Sequence, residues 1–189
     1  MRLSVIIVNF NVRYFLEQCI HSVIRACENM EAEIIVVDNN STDESRAFLE
    51  PVFPSVKFCW NTANVGFARA NNQAISLARG EYILFLNPDT LVPEDCFEKC
   101  LHFLETSGTN AALGVKMVDG SGKFLKESKR SFPSPLTSLY KLSGLSKLFP
   151  RSKTFARYHL GHLSEQENHE VDVLAGAFML IPKRIQIGR

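Results

Sequence analysis

The sequence lacks any apolar run close to the roughly 18–20 residues that a membrane-spanning helix requires. It also lacks an excess of charge, because 21 basic and 20 acidic residues leave a formal net charge of +1. This balance gives no reason to expect a nucleic-acid partner. The start of the chain runs directly into a strand-like pattern, so no signal peptide is predicted. With 189 residues and 46% apolar content, the chain is typical of a globular domain with a buried core.

Cysteines are few and show no paired framework. The sequence holds five, an odd number, which favours reduced thiols in a cytosolic protein over a disulfide scaffold. Cys96 and Cys100 share one face of a predicted helix, but no further cysteine lies close to them in the sequence. A metal site at this pair is therefore disfavoured.

Two common phosphate-binding loops are also missing. The segment after the first predicted strand, residues 9–14 (NFNVRY), contains no glycine, so a dinucleotide pyrophosphate could not approach the backbone closely. A Walker-type Gly-Lys-Ser/Thr sequence is absent as well. These absences argue against a nicotinamide oxidoreductase and a P-loop enzyme. The same segment lacks the glycine-rich basic loop that is usual in nucleotidyltransferases.

The sequence does contain a regular alternation of strand-like and helix-like segments. Strands are predicted at 3–8, 34–37, 56–60, 82–86, 112–118 and 171–181, and helices at about 13–28, 41–49, 67–78 and 93–104. Ser41 or Thr42 is the expected N-cap of the second helix, which should stop before Pro51. Residues 119–122 (DGSG) predict a hairpin turn, and Pro182 predicts the start of a further helix. The alternation indicates an α/β fold with a mostly parallel central sheet flanked by helices.

Polar side chains gather where four of the predicted strands end. They are Asn9 and Asn11, then Asp38, Asn39 and Asn40, then Asn61 and Asn64, and finally Asn87 and Asp89. Open α/β proteins bind ligands at this edge of the sheet, where the carboxyl ends of the strands meet. Amide and carboxylate groups suit the edges of a nucleobase and the hydroxyls of a ribose. Each residue could equally form a turn or cap a helix, but four such loops favour a binding site.

Asp89, in the segment FLNPDT, directly follows the strand predicted at 82–86. A carboxylate held there by a stiff proline turn could bind Mg²⁺ or Mn²⁺, which prefer oxygen ligands and share them with phosphates. Such a cation would neutralise charge that develops on a departing diphosphate. The alternative is an Asp-Thr turn that caps the helix predicted from Pro93.

Taken together, these segments resemble a known family. In order and spacing, SVIIVNFN, VVDNNSTD, NVGFARANN, YILFLNPDT and VLAGAFMLIPKR are similar to the family 2 glycosyltransferases. Within that family the sequence is most similar to the branch of bacterial rhamnosyltransferases and O-antigen sugar transferases. The resemblance implies a single GT-A-type nucleotide-sugar-binding domain over residues 1–189. Residues 1–120 would form its nucleotide-sugar-binding half, and residues 121–189 a partial acceptor-side half whose C-terminal part is missing.

The resemblance also implies roles for individual residues on the donor side. Asn9 falls where the family's first loop touches the nucleoside. Asp38, with Asn40 two residues later, falls at the position of the family's acid that binds the base or the ribose. The residues that match the family's donor-pocket segment are Asn64, Gly66 and Asn72.

Two further matches concern the metal and the acceptor. Asn87 and Asp89 match the family's Asp-x-Asp metal motif, with Asn in place of the first acid. Asp89 would then be the principal ligand of Mg²⁺ or Mn²⁺. Gly176 and Ala177 match a Gly-Ala segment on the acceptor side, where a small residue lets a sugar approach the backbone.

As a function, the resemblance implies transfer of a hexose or deoxyhexose from a UDP- or dTDP-sugar to a saccharide or lipid-linked acceptor. Transfer would proceed with inversion, in cell-surface polysaccharide biosynthesis. The family's general base follows the helix predicted from Pro182, and this sequence stops before it, so no residue is assigned as the base. The expected alternative is a nucleotide-sugar-binding fragment without turnover.

Residues 123–157 form a basic stretch in which nine Lys or Arg residues accompany one acid, Glu127. Basic and apolar side chains mixed in this way predict a peripheral contact with an anionic membrane surface. The alternative is a flap whose apolar residues pack on the domain. The expected location is the cytoplasm, at the inner face of a bacterial membrane.

Overall fold

The computed structural model describes residues 1–108, 111–125, 128–130, 160, 163–164 and 166–185. The chain divides into two compact units, one formed by Met1–Leu113 with Gly176–Arg189 and the other by Gly114–Ala175. Within the described ranges, no helix is long and apolar enough to cross a membrane. Most of the stretch for which a membrane contact is predicted, residues 126–127 and 131–157, lies outside these ranges.

The first unit is built on a five-stranded sheet. Its strands are β1 (Leu3–Asn9), β2 (Ala32–Asp38), β3 (Lys57–Trp60), β4 (Tyr82–Leu86) and β7 (Phe178–Pro182), in the order β3-β2-β1-β4-β7. The first four are parallel, and β7 runs antiparallel to β4. β1 lies at the centre with all seven residues buried, as expected of a strand covered on both faces. The predicted α/β fold with a mostly parallel sheet is confirmed.

Helices flank the sheet in the described part of this unit. They are α1 (Arg13–Ala26), α2 (Ser45–Val52), α3 (Phe67–Leu77) and α4 (Cys96–Ser107). α1 buries Leu16, Cys19, Ile20 and Val23, which recur at helical spacing on one face. α3 packs against the sheet through small side chains such as Ala70, so the helix can lie close to the strands. Apart from α2, these helices and the strands β1 to β4 agree with their predicted boundaries within about three residues, as expected of sequence-based boundaries.

The second helix begins four residues later than predicted. α2 starts at Ser45, and Glu44 precedes it with a left-handed backbone (φ 63°) and no side-chain cap. Ser41 does not cap this helix, because its hydroxyl oxygen lies within hydrogen-bond distance of Asn9 Nδ2 and accepts the N–H of Asn11. The predicted stop before Pro51 is also wrong, because the helix continues to Val52 with the proline in its last turn.

The strand predicted at 112–118 does not form. Leu113 makes an isolated antiparallel bridge to Leu180, with N–H···O distances of 2.8 and 2.9 Å. Gly114 follows at once, and a glycine inside a strand weakens it because it has no side chain to pack. The turn predicted at 119–122 is confirmed in the second unit, where it closes a bridge between Val118 and Phe124.

The segment predicted as one strand at 171–181 forms two. β6 (Val173–Leu174) pairs antiparallel with β5 (Lys129–Arg130) in the second unit, whereas β7 pairs with β4 in the first. Pro182 ends β7 instead of starting a helix, and the N–H of Ile185 donates to its carbonyl at 3.0 Å in the turn that follows. The Ala-Gly-Ala break between β6 and β7 is as apolar as the strands, so the pattern alone could not locate it.

Candidate functional site

The register of the sheet places Asn9 beside Asp38. β1 and β2 are parallel and end on these two residues, which are partners across the strands. Asn9 Nδ2 donates to Asp38 Oδ2 at 2.7 Å, and the residues are 0% and 4% exposed. Two candidates that the resemblance puts near the nucleoside are thus joined by one charge-assisted hydrogen bond.

Two serines, one in the loop after β2 and one at the start of α2, complete a polar network around this pair. The N–H of Ser41 donates to Asp38 Oδ1 at 2.8 Å. Asn9 Nδ2 also lies 3.1 Å from Ser41 Oγ and 3.0 Å from Ser45 Oγ. Asp38 is therefore held through both carboxylate oxygens and cannot turn without breaking one of these bonds.

Asp43 ties this network to the start of α1. One of its oxygens accepts the N–H and the hydroxyl of Ser45, and the other accepts the N–H of Arg13 at 2.8 Å. Arg13 is the first residue of α1, where backbone N–H groups have no partner within the helix. Burial raises the pKa of Asp43, but the hydrogen bonds from Ser45 and Arg13 outweigh it and leave the pKa below its ordinary value. The carboxylate is therefore charged at neutral pH.

Asn11 joins the same two loops from their exposed side. It adopts a left-handed backbone (φ 56°), which asparagine tolerates better than most residues. Its N–H donates to Ser41 Oγ at 2.9 Å, and its Oδ1 accepts the N–H of Thr42 at 2.7 Å. A cavity of about 450 Å³ opens beside these loops, lined by residues 11–15 and 42–44. Its size falls in the range of small-molecule sites in proteins.

Asparagines also connect the ends of β2 and β3. Asn61 Nδ2 donates to Asn39 Oδ1 at 3.1 Å and to Gln73 Oε1 at 3.0 Å. Asn39 is buried, whereas the candidate Asn40 is exposed and has a left-handed backbone (φ 66°). The structure therefore keeps Asn40 outside the buried network that contains Asp38.

Asn64 and Gly66 form the turn that leads into α3. Asn64 Oδ1 accepts the N–H of Gly66 at 2.9 Å. Gly66 has φ 85°, a left-handed region where glycine carries no steric penalty. Asn72 is exposed on α3, while its neighbour Asn71 is buried and donates to the carbonyl of Phe67. The local geometry thus explains Asn64 and Gly66 as turn formers and leaves the side chain of Asn72 exposed.

Asn87 and Asp89 lie in the loop after β4, next to the start of β7. The N–H of Asn87 donates to the carbonyl of Ala177 at 3.0 Å, and its own carbonyl accepts the thiol of Cys19 at 3.6 Å. Asp89 is exposed and makes no hydrogen bond or ion pair in the part of the chain that the structure describes. Burial and, after it, the charge of Asp89 raise the pKa of the Cys19 thiol to about 12. The Asp89 carboxylate is therefore close to α1 yet open to solvent.

Of the acids in the loop after β4, Glu94 pairs with Arg25 and Asp95 with Lys99, whereas Asp89 has no partner among the described residues. Among the described residues, no group of three or more His, Cys, Asp or Glu side chains could hold a metal ion. Mg²⁺ is commonly bound through one or two carboxylates together with substrate phosphates and water. A single unpaired aspartate therefore suits a cation that is shared with a diphosphate, rather than a metal site made by protein ligands alone.

Gly176 and Ala177 lie at the entry to β7. A Cβ added to Gly176 would meet nothing within 4 Å in the part of the chain that the structure describes, so packing against that part does not require glycine there. Ala177 contributes its carbonyl to Asn87, as the antiparallel pairing of β4 with β7 leads one to expect. The structure thus brings Ala177 next to Asn87 and leaves open space at Gly176.

Sequence reasoning missed Arg13, Asp43 and Ser45 as contributors to the site. The prediction of a helix from residue 41 treated Asp43 and Ser45 as part of its first turn. A usable signal was present, because β1 and β2 each end on a polar residue and the loops that follow must then meet. That argument predicts contact between the loops, although not which atoms pair.

Known proteins share both sequence and fold with this chain. A model of the family described as "Glycosyl transferase family 2" matches residues 4–175. A poly(ribitol-phosphate) beta-glucosyltransferase from Bacillus spizizenii is 30% identical over 128 residues, which cover 65% of this chain and 20% of the relative. The chain spans 41%, 50% and 20% of the length of three of the curated relatives it matches.

Solved structures share the fold at lower identity. S. aureus TarS 1–349 in complex with UDP has a TM-score of 0.55 at 23% identity, over 72% of this chain and 39% of the TarS 1–349 chain. The mannosyltransferase PcManGT from Pyrobaculum calidifontis, in complex with GDP-Man and Mn²⁺, has a TM-score of 0.53 at 24% identity, over 60% and 35%. These likenesses agree with the GT-A-type fold. Because the family model spans residues 4–175, the chain belongs to glycosyl transferase family 2.

Proposed function

We propose that this chain is the nucleotide-sugar-binding part of a glycosyltransferase, in which Asp38 binds the nucleoside of a UDP- or dTDP-sugar. The observation that carries the proposal is the buried Asp38 carboxylate, fixed through both oxygens at the carboxyl end of a parallel strand. Open α/β sheets bind nucleotides at this edge. The UDP bound to TarS, which shares the fold, supports a uridine-type nucleoside here. In this proposal the donor pocket is lined by Asn40, Asn64, Gly66, Asn72 and Asn87.

The proposal includes a divalent cation, Mg²⁺ or Mn²⁺, bound by Asp89 together with the diphosphate of the donor. Asp89 is exposed and has no partner among the described residues, so both of its oxygens are available. The Mn²⁺ in PcManGT, a protein of similar fold, supports this assignment. Bound there, the cation would offset the charge of the leaving diphosphate. The hydrogen bond from Asn87 to Ala177 would hold the loop in place.

The proposed acceptor is a saccharide, free or lipid-linked, and the proposed product is part of a cell-surface polymer formed with inversion. Family membership supports this class, as does the relative named poly(ribitol-phosphate) beta-glucosyltransferase. The space at Gly176 supports an acceptor there, because a Cβ built on that residue would meet no atom of the described residues within 4 Å. A cytoplasmic location and a peripheral membrane contact through residues 123–157 belong to the same proposal.

A thermal-shift titration with UDP, dTDP and GDP, each with and without Mn²⁺, tests the donor site. We expect UDP or dTDP to stabilise the chain by about 2.7 kcal/mol at a hundredfold excess over Kd. Asp89→Asn should remove the dependence on Mn²⁺. Glu98→Gln, which changes an exposed acid on α4, should behave like the wild type. If no nucleotide shifts the melting temperature, the proposed donor site is wrong.

Turnover needs a separate measurement, since binding alone does not separate a transferase from a binding fragment. Release of UDP from UDP-glucose or UDP-N-acetylglucosamine, and of dTDP from dTDP-rhamnose, can be followed by chromatography. A transferase releases the nucleoside diphosphate from one of these donors, faster when a suitable acceptor is added. A fragment without turnover binds the nucleotide and releases none.

A further inference from the structure

We infer that Asn9 does not contact the nucleoside but positions Asp38, and this inference rests on the proposed function. The Asn9 side chain is 0% exposed, so a ligand at the sheet edge cannot reach it without displacing protein atoms. Its Nδ2 has two hydrogens and three acceptors within reach, of which Asp38 Oδ2 is the nearest at 2.7 Å. Family resemblance places Asn9 at the nucleoside, whereas its burial gives it a positioning role.

The orientation of the Asn9 amide follows from its neighbours. If the amide were turned over, its oxygen would face the Asp38 carboxylate at 2.7 Å, with two acceptors and no proton between them. Ser45 donates its hydroxyl to Asp43, so its lone pairs remain to accept from Asn9. The network therefore fixes Asn9 as the donor and Asp38 as the acceptor.

This arrangement leaves one buried atom unsatisfied. Asn9 Oδ1 has no hydrogen-bond partner in the described part of the chain. A buried acceptor without a partner is unfavourable for stability. An apolar side chain in this place would leave no unpaired oxygen. The amide is thus better explained by what its nitrogen does for Asp38 than by its effect on the core.

Asn9 leaves Asp38 with a defined set of free lone pairs. A carboxylate has about four acceptor sites, and Asn9 and Ser41 occupy one on each oxygen. These two bonds fix the plane in which the remaining lone pairs lie. A nucleobase N–H or a ribose hydroxyl then meets an acceptor that is already oriented. Without Asn9 the carboxylate can rotate about its last torsion, which has only a soft preference.

Ser4 provides a matched control at the other end of the same strand. It is also 0% exposed, and its hydroxyl donates to Glu33 on β2 at 2.7 Å. The two pairs, Ser4 with Glu33 and Asn9 with Asp38, are both register partners of β1 and β2. Ser4→Ala therefore removes hydrogen bonds at the amino end of the same strand, the one to Glu33 and the one that Ser4 Oγ accepts from the N–H of Gly80, away from the proposed nucleoside site.

The test is a double-mutant cycle on nucleotide affinity, measured by calorimetry with UDP and with dTDP in the presence of Mn²⁺. Asn9→Leu should weaken binding about tenfold, because an Asp38 carboxylate that is free to rotate must be ordered when the nucleotide binds. In an Asp38→Ala background the same change should alter affinity by less than about twofold, because nothing is left to position. Binding of inorganic pyrophosphate with Mn²⁺, which contains no nucleoside, should stay unchanged.

A second variant, Asn9→Asp, tests the positioning role even if Asn9→Leu does not fold. Asn9→Asp keeps the shape of the side chain and places a second carboxyl group against Asp38. Two such groups can share one proton at low pH but repel each other when both are charged. Nucleotide affinity of this variant should therefore fall as the pH rises from about 5 to about 8, more steeply than that of the wild type.

The outcomes separate the inference from the function on which it rests. Equal losses from Asn9→Leu in both backgrounds, or no loss at all, would overturn the inference while leaving the donor site intact. So would an Asn9→Asp variant without extra pH dependence, or a Ser4→Ala variant that loses as much affinity as Asn9→Leu. A wild-type chain that binds neither nucleotide contradicts the proposed function itself, and the inference with it.

Discussion

Asp43 is the residue through which the loop after β2 holds the start of α1. One of its carboxylate oxygens accepts the N–H of Ser45, and the other accepts the N–H of Arg13. An asparagine offers only one acceptor oxygen, so Asp43→Asn should lower the free energy of unfolding by about 1 kcal/mol at pH 7. Urea unfolding of both proteins measures the difference. Glu28→Gln, at an exposed acid just after α1, is the control and should change stability by less than about 0.5 kcal/mol.

The pH dependence of this difference tests the charge on Asp43. Burial opposes the lowering of its pKa, but the hydrogen bonds outweigh burial and hold the pKa below that of a free aspartate. The contribution of Asp43 is therefore complete above about pH 4 and is lost as the pH falls through the lower pKa of the folded state. The gap between the wild type and Asp43→Asn should narrow toward acid. A gap that widens there would contradict the assignment.

At the level of elements, the approach of β4 to β1 depends on Gly80, which lies two residues before β4. A Cβ at Gly80 would lie 2.5 Å from the backbone nitrogen of Ser4 and 2.7 Å from the carbonyl carbon of Leu3. These backbone atoms belong to the central strand and cannot move aside cheaply. Gly80→Ala should therefore lower the free energy of unfolding by about 3 kcal/mol, as expected of severe overpacking.

Urea unfolding of Gly80→Ala beside Gly120→Ala checks this expectation. A Cβ at Gly120 meets nothing within 4 Å, so its alanine variant should stay within about 0.5 kcal/mol of the wild type. If the two variants are equally stable, the backbone of β1 moves at Ser4 to accommodate the added methyl group, and the close approach does not limit the stability of the chain.

The elements that the sequence predicts well are those whose own residues form a clear apolar pattern. β1 and β4 are continuous apolar runs bounded by polar residues, and their bounds agree with the pattern within one residue. α2 is the counterexample, because Ser41 and Thr42 look like caps but bond to Asn9, at the end of a distant strand, and to Asn11 in the loop after it. A tertiary hydrogen bond of this kind leaves no mark on the local sequence and overrides the local preference for capping.

Over the whole molecule, the topology of a parallel sheet could be used to predict where a site would lie, but not which of its side chains are buried or hydrogen-bonded to each other. The rule that ligands bind at the carboxyl ends of strands placed Asn9, Asp38 and Asp89 on one edge. It could not show that Asn9 is fully buried or that Asp43 reaches back to Arg13. Those features depend on strand register and loop packing, which only the assembled structure supplies.

Cys19 allows the opening of the whole first unit to be followed. It is 0% exposed on α1, and burial followed by the charge of Asp89 raises the pKa of its thiol to about 12. Cys96 differs, because it is only partly buried and the hydrogen bond from Cys100 lowers its pKa. The thiolate is the reactive form of cysteine, so the two residues should react at very different rates in the folded chain.

We expect a thiol reagent at pH 8 to modify Cys96 in the native chain and Cys19 only after α1 separates from the sheet. Peptide mapping by mass spectrometry gives both rates in one sample, with Cys96 as the internal control. If the proposed donor site is correct, UDP or dTDP at a hundredfold excess over Kd should slow Cys19 about a hundredfold, because opening must then compete with binding. Cys96 should be unaffected. Fast modification of Cys19 under native conditions would mean that α1 detaches locally, and its labelling would then report the motion of one helix.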